Sequence, residues 1–120
     1  MSKQLQILES PAQGCCAPIT EEALDATQAV GLAQQFKALG DPTRLRLLSR
    51  ITSASGGEIC VCDLTGGDFE VTPPTISHHL KLLREAGLIT GERRGTWVYY
   101  RPVRDAVDRL ASVLGGDWAA

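Results

Sequence analysis

The chain has 120 residues, of which 43% are hydrophobic and 22% charged, a length and composition that fit one compact domain with a single core. Its formal net charge is −2, so the charge of the whole molecule does not draw it onto nucleic acid. Any DNA binding must therefore come from a local basic patch. The sequence lacks the ~18 consecutive apolar residues of a membrane span. Its first residues also lack the cationic stretch followed by an apolar run that is typical of a secretion signal. We expect a cytoplasmic protein that does not enter the membrane.

The first part of the chain is predicted to be an arm followed by a helix. Residues 1–19 lack a sustained hydrophobic period and are expected to be mobile. Thr20, followed by two glutamates, is typical of a helix N-terminus, and the apolar positions then continue to Gly40. We expect one helix over this stretch, with Gly31 as the point where it could break.

The middle of the chain shows the start signals of two further helices. Asp41-Pro42 predicts a capped helix whose buried stripe comprises Leu45, Leu47, Leu48 and Ile51. A weaker, short element follows over residues 58–64, before two adjacent glycines that each disfavour a helix by roughly 1 kcal/mol. Thr72-Pro73-Pro74 then predicts the start of a helix of about three turns that ends at Gly87.

The last third of the chain favours a β-hairpin and a final helix. Residues 88–90 and 96–100 are rich in β-branched and aromatic side chains, and residues 91–95 form a basic turn bounded by glycines. Val103, Val107, Leu110 and Leu114 then recur at helical spacing. Residues 20–114 are thus expected to form one mainly α-helical domain with a β-hairpin, and residues 115–120 a C-terminal tail.

A short helix, a turn, a longer helix and a hairpin follow in the order of a winged helix-turn-helix, whose second helix enters the major groove of DNA. At about 100° per residue, one face of that helix packs inward with His79 at its edge, and the opposite face is polar. The surrounding segment is basic, whereas residues 1–30 are acidic. We predict that DNA is contacted by the polar side chains of this helix and by the hairpin arginines: Thr75, Ser77, His78, Lys81, Arg84, Arg93 and Arg94.

Four segments together resemble the ArsR/SmtB group of metal-responsive bacterial repressors. They read FKALGDPTRLR (36–46), EICVCDL (58–64), PTISHHL (74–80) and WVYY (97–100). The resemblance implies a homodimer joined through its N- and C-terminal helices, bound to double-stranded operator DNA with an inverted repeat. It also implies that a soft metal or metalloid ion releases the protein from that operator.

Four cysteines supply the candidate ligands for this ion, because thiolates select thiophilic metals. Cys60-Val61-Cys62 resembles the metal-binding box of the family, but Thr65 stands where arsenic-responsive members commonly carry a third cysteine. The remaining thiols are Cys15 and Cys16 in the arm. Residues two apart on a helix point about 200° from each other, so at least one box cysteine must lie outside a regular helix for both to share an ion.

Three ligand sets remain open: both arm cysteines with one box cysteine, both box cysteines with one arm cysteine, or all four. From the resemblance, three sulfurs favour trivalent arsenic or antimony, whereas four favour cadmium or lead. The arm is implied to reach the box of the other subunit.

Two other classes of function compete with the ion-responsive repressor. A thiol redox-responsive transcription factor would use the same cysteines and release DNA with peroxide instead of arsenite. A thiol oxidoreductase would require a catalytic partner, yet both histidines lie on the predicted DNA-reading helix and no glycine-rich cofactor loop is present. We therefore expect that the protein is not an enzyme.

Overall fold

The computed structural model describes residues 18–64 and 73–115, and all structural statements below concern these residues. Their elements are α1 (Ala26–Leu39), α2 (Pro42–Thr52), a 3₁₀ turn (Ser55–Gly57), β1 (Ile59–Cys60), α3 (Val61–Leu64), α4 (Pro73–Glu85), β2 (Ile89–Arg94), β3 (Trp97–Pro102) and α5 (Arg104–Val113). The predicted fold class, mainly α-helical with one hairpin, is confirmed. The chain divides into two units, Met1–Leu32 with Arg104–Ala120, and Ala33–Val103.

Helix α1 begins five residues later than the sequence signals suggested, with Asp25 instead of Thr20 as its N-cap. Asp25 accepts a hydrogen bond from the Gln28 backbone N–H at 2.8 Å, and the Gln28 side chain accepts one from the Asp25 N–H at 3.0 Å. This reciprocal capping box satisfies two backbone donors and fixes the helix start. The prediction of a start at Thr20 was wrong, because the Pro18 carbonyl instead accepts turn hydrogen bonds from Glu21 and Glu22. The helix continues through Gly31 without a break.

Helix α2 begins where the sequence predicted. The Asp41 carboxylate accepts hydrogen bonds from the backbone N–H groups of Thr43 and Arg44 at 3.0 and 3.1 Å. The pKa of the Asp41 carboxyl is lowered, chiefly by the bond from Arg44. The prediction that Leu45 is buried was wrong, since 53% of this residue is exposed. It points about 110° away from the centre of the buried face formed by Leu47, Leu48 and Ile51.

The core of the Ala33–Val103 unit lies between α2, α4 and the sheet. It is wholly apolar among the described residues, and its largest members have less than 2% of their surface exposed: Leu47, Ile51, Leu64, Ile76, Leu80, Leu83, Leu88 and Ile89. In the other unit, Ala106, Leu110 and Val113 are the buried residues of α5. Leu114, predicted to belong to the apolar stripe of this helix, is half-exposed.

Helix α4 ends at the predicted glycine. Gly87 has a φ of +79°, a left-handed conformation that glycine adopts without steric cost. Its N–H donates to the Arg84 carbonyl at 3.0 Å, and the next N–H, from Leu88, donates to the Leu83 carbonyl at 3.1 Å. These two bonds form a Schellman motif. The chain therefore turns sharply from α4 into the hairpin.

The three described strands form one antiparallel sheet in the order β1-β3-β2. Residues 91–94 belong to β2, and the Arg94–Trp97 pairing leaves a two-residue turn at Gly95 and Thr96. The predicted turn over residues 91–95 was thus too long. Glycine suits position 91 of β2 because Tyr100 lies opposite it. The Cβ of any other residue there would lie 3.0 Å from the tyrosine ring.

We expect Asp41→Ala to lower the free energy of unfolding by about 1 kcal/mol, because two helix N–H groups lose their acceptor. Asp41→Asn is the matched control, since its amide oxygen also caps. In the wild-type protein the stabilisation by the ionised Asp41 carboxylate is fully present above the ordinary aspartate pKa. It is lost as pH falls through the lowered pKa of Asp41 in the folded protein. Urea unfolding between about pH 7 and pH 2 should therefore show an acid-dependent loss in wild type that is smaller in Asp41→Asn.

Candidate nucleic-acid interface and thiol site

Helix α4 has the two faces that its sequence predicted. Ile76, Leu80 and Leu83 are at most 1% exposed and pack into the core. The predicted DNA-contacting side chains of this helix are all exposed: Thr75, Ser77, His78, Lys81 and Arg84. Lys81 lies 4.0 Å from Glu85 one turn further along, a solvent-exposed pair that leaves the ammonium group accessible. The fold thus presents a polar, donor-rich helix face to solvent.

His79 lies at the edge of this helix against α2, as predicted. Its side chain is only 13% exposed, and its Nδ1 atom lies 3.1 Å from the Arg44 guanidinium. The same Nδ1 atom lies 3.9 Å from the carboxylate of Asp41, the N-cap of α2. Arg44 also donates to the Ala38 carbonyl at 2.6 Å. His79 therefore orients the reading helix on α2, whereas His78 faces solvent.

The two hairpin arginines have different surroundings, although the sequence gave them the same predicted role. The Arg93 side chain is exposed, and its guanidinium has no hydrogen bond or ion pair among the described residues. The Arg94 guanidinium binds Glu58 through both terminal nitrogens and Glu92 through one, and it lies 4.5 Å above the Tyr99 ring. Arg93 is thus available for a phosphate, whereas Arg94 is already bound to carboxylates.

Glu58 is the centre of this ion-pair network and was not singled out from the sequence. Arg94 and Arg101 both donate to its carboxylate, each with a contact of 2.9 Å. The hydrogen bond from Arg94 is the main cause of the lowered pKa of Glu58. The contact could have been anticipated only from the pairing of β1 with β3, which places residue 58 beside residue 101.

The two box cysteines lie at a strand-to-helix junction. Cys60 ends β1 and is buried, whereas Cys62 lies in α3 and is exposed. Their Sγ atoms are in direct contact and are joined as a disulfide, with Cα atoms 5.2 Å apart. The Cys62 backbone N–H also donates to the Cys60 sulfur at 3.3 Å. The expectation that one box cysteine must lie outside a regular helix is confirmed, and the two sulfurs meet.

Cys15 and Cys16 lie outside the described residues. Within residues 18–64 and 73–115, no group of three or more histidine, cysteine or carboxylate side chains is placed to hold a metal ion. The described thiol site therefore brings two sulfur atoms together. Residues 65–72, which lie between this site and α4 in sequence, are also outside the described part of the chain.

The helix order, the exposed polar face of α4 and the hairpin that follows it define a winged helix-turn-helix DNA-binding protein. A family model described as "Bacterial regulatory protein, arsR family" matches residues 41–90. The chain belongs to this family. It is a DNA-binding transcriptional repressor and not an enzyme.

Similar proteins agree with this assignment. The chain is 40% identical over 82 residues to an uncharacterized HTH-type transcriptional regulator of Methanocaldococcus jannaschii, covering 68% of this chain and 89% of that protein. It is 47% identical over 79 residues to the arsenical resistance operon repressor of Bacillus subtilis, covering 66% and 72% respectively. A solved structure described as a possible transcriptional regulator for arsenical resistance superposes with a TM-score of 0.58 at 36% identity, covering 65% of this chain and 77% of that one.

Within residues 18–64 and 73–115, no helix has the combination of length and hydropathy required to cross a bilayer.

We expect Arg94→Ala to lower the midpoint of urea unfolding, because the ion pairs between the hairpin and residue 58 are lost. Arg93→Ala is the matched control and should leave the midpoint unchanged, since its guanidinium has no partner among the described residues. Added salt should reduce the difference between the two variants, because the network is exposed to solvent and screened. Equal midpoints at low salt would contradict the assigned role of Arg94.

Proposed function

We propose that this protein represses a metalloid-resistance operon and leaves its operator when trivalent arsenic or antimony binds its cysteine thiolates. The observation that carries the proposal is the meeting of the Cys60 and Cys62 sulfurs at the junction of β1 and α3. The similarity to repressors named for arsenical resistance supports the choice of ion. The ion enters as the inducer, not as a resident cofactor.

The donor chemistry fits a three-sulfur site. In their reduced form Cys60 and Cys62 provide two thiolates, which prefer soft ions. Arsenite requires a third thiolate, and Cys15 or Cys16 is the available source. Each thiol that binds As(OH)₃ loses its proton and displaces one hydroxide as water. The contact between the box sulfurs supports the ligand sets that use both of them, including the four-sulfur set that would suit cadmium or lead.

The operator is proposed to be read by α4, with Ser77, His78 and Lys81 facing the major groove and Arg84 at their side. Thr75 and the hairpin arginines complete the predicted contact set. The homodimer is supported by four exposed apolar residues in the Met1–Leu32 and Arg104–Ala120 unit, namely Ile19, Leu24, Val30 and Leu114. Two copies of α4 would then read an inverted repeat with half-sites roughly 34–36 Å apart or a multiple of that distance.

A redox-responsive repressor is a second candidate, because the same two sulfurs are joined in the structure. In that case the Cys60 and Cys62 thiols lose two protons and two electrons to a peroxide, which is reduced to water or alcohol and water. Only Val61 separates the two cysteines, so a bond between them restricts the unfolded chain very little. Such a disulfide contributes little to the stability of the fold. Release from the operator by peroxide in a metal-free buffer would distinguish this candidate from the arsenite response.

We expect Lys81→Ala and Arg93→Ala each to weaken operator binding. Each should also reduce the slope of log affinity against log salt concentration by about one, the value expected for one lost phosphate contact. Lys81→Arg keeps the positive charge and should retain the wild-type slope. The measurement is operator affinity by fluorescence anisotropy over a range of salt concentrations. An unchanged slope in both alanine variants would contradict the proposed interface.

We expect Cys60→Ser/Cys62→Ser to bind the operator with wild-type affinity and to remain bound in arsenite, because two of the three ligands are absent. Cys15→Ser/Cys16→Ser should behave in the same way if the arm supplies the third ligand. The assay is operator release by reduced protein, titrated separately with arsenite, antimonite, cadmium and lead. Normal arsenite release by the box variant would overturn the proposed site.

A further inference from the structure

The thiol site and the hairpin are connected through the residue that precedes β1. Glu58 immediately precedes this two-residue strand, and Cys60 ends it. Residues 58 and 60 lie two positions apart in extended chain, so their side chains share a face of the sheet. The carboxylate of Glu58 binds the hairpin arginine Arg94, while the sulfur of Cys60 contacts Cys62. Residues 58–60 therefore carry both Cys60, a proposed ligand of the ion, and Glu58, whose carboxylate binds the hairpin.

The sheet provides a second connection between the same groups. Cys60 pairs directly with Tyr99 of β3, and the guanidinium of Arg94 lies over the Tyr99 ring. Arg101, one position beyond Tyr100, donates to Glu58 from the same strand. The strand bearing Cys60 thus cannot shift or twist relative to β3 without changing the distances from Glu58 to both arginines.

We propose that Glu58 is the positioning residue through which occupancy of the thiol site alters the hold of the hairpin on DNA. The inference rests on the proposed function, since it requires that an ion bind Cys60 and Cys62. Without the ion, Glu58 binds Arg94 and Arg101 and fixes the orientation of the hairpin. With the ion bound, Cys60 is drawn toward an additional ligand, β1 moves with it, and the carboxylate no longer holds both arginines in the orientation that suits the operator.

Glu92 offers a matched control within the same network. It accepts a hydrogen bond from Arg94 at 2.7 Å, as Glu58 does, and its replacement by glutamine changes the net charge by the same amount. Glu92 belongs to β2 and also lies 3.8 Å from Arg101 of β3, so both of its ion pairs lie within the hairpin and neither involves the strand that carries Cys60. A difference in arsenite response between Glu58→Gln and Glu92→Gln would therefore be due to the link between Glu58 and the cysteine strand, because both variants lose the same charge.

The experiment compares wild type, Glu58→Gln and Glu92→Gln as full-length reduced protein. Operator affinity is measured with and without saturating sodium arsenite, and the ratio of the two dissociation constants is the coupling factor. Allosteric coupling factors are typically about 5- to 150-fold. We expect Glu92→Gln to retain the wild-type factor within about twofold, and Glu58→Gln to lose most of it, approaching a factor of about one.

Arsenite binding in the absence of DNA, followed by the ultraviolet absorbance of arsenic–thiolate bonds, separates coupling from binding and folding. Glu58→Gln should bind arsenite with the wild-type stoichiometry and absorbance, which a misfolded site would not do. If wild type binds arsenite but stays on the operator, or binds none, the proposed function itself fails. If wild type is released and Glu58→Gln is released equally well, only the role of Glu58 is overturned, and coupling through the segment between Leu64 and Pro73 is favoured.

Discussion

The antiparallel pairing of β1 with β3 is the constraint on which the functional arrangement depends. It is only two residues long, yet it places Cys60 opposite Tyr99 and Ile59 opposite Tyr100. The first pair brings the thiol site to the hairpin, and the second buries Tyr100 in the core. A strand this short has few hydrogen bonds of its own, so its position depends on the side chains around it, including the ion pairs of Glu58. β1 is therefore ordered, yet in the proposed mechanism it is held weakly enough to move when an ion binds Cys60.

The charge distribution explains how an acidic chain can bind DNA. With a formal net charge of −2, attraction to phosphates must be local. The exposed cations of α4 and Arg93 are its proposed source, whereas Arg94 and Arg101 form ion pairs with Glu58 and Glu92. Sequence alone counts all of these arginines as equal contributors to a basic patch. The structure divides them into cations directed to solvent and cations that fix the shape of the hairpin.

Local signals in the sequence predicted most of the fold correctly. Asp41-Pro42 and Gly87 define helix ends through bonds to residues at most a few positions away, so reading the chain was sufficient. The start of α1 was mispredicted because Thr20 and Asp25 are both acceptable caps, and only Asp25 has a glutamine three residues later to complete the reciprocal pair. The length of the hairpin turn depended on Gly91 fitting beneath Tyr100, a cross-strand contact that a linear pattern does not reveal.

The site was less predictable than the fold for the same reason. The spacing of Cys60 and Cys62 set the condition for them to meet, namely that one of them lies outside a regular helix, but the role of Glu58 depends on partners 36 and 43 residues away. Its network is also exposed, which suits a switch. Solvent-exposed ion pairs each stabilise a fold by only about 0.2–1 kcal/mol, because water and salt compete for both partners, so they can be exchanged at small cost. A buried pair in this place would hold the hairpin in one state, because separating its partners would leave an uncompensated buried charge at a cost of about 3–5 kcal/mol.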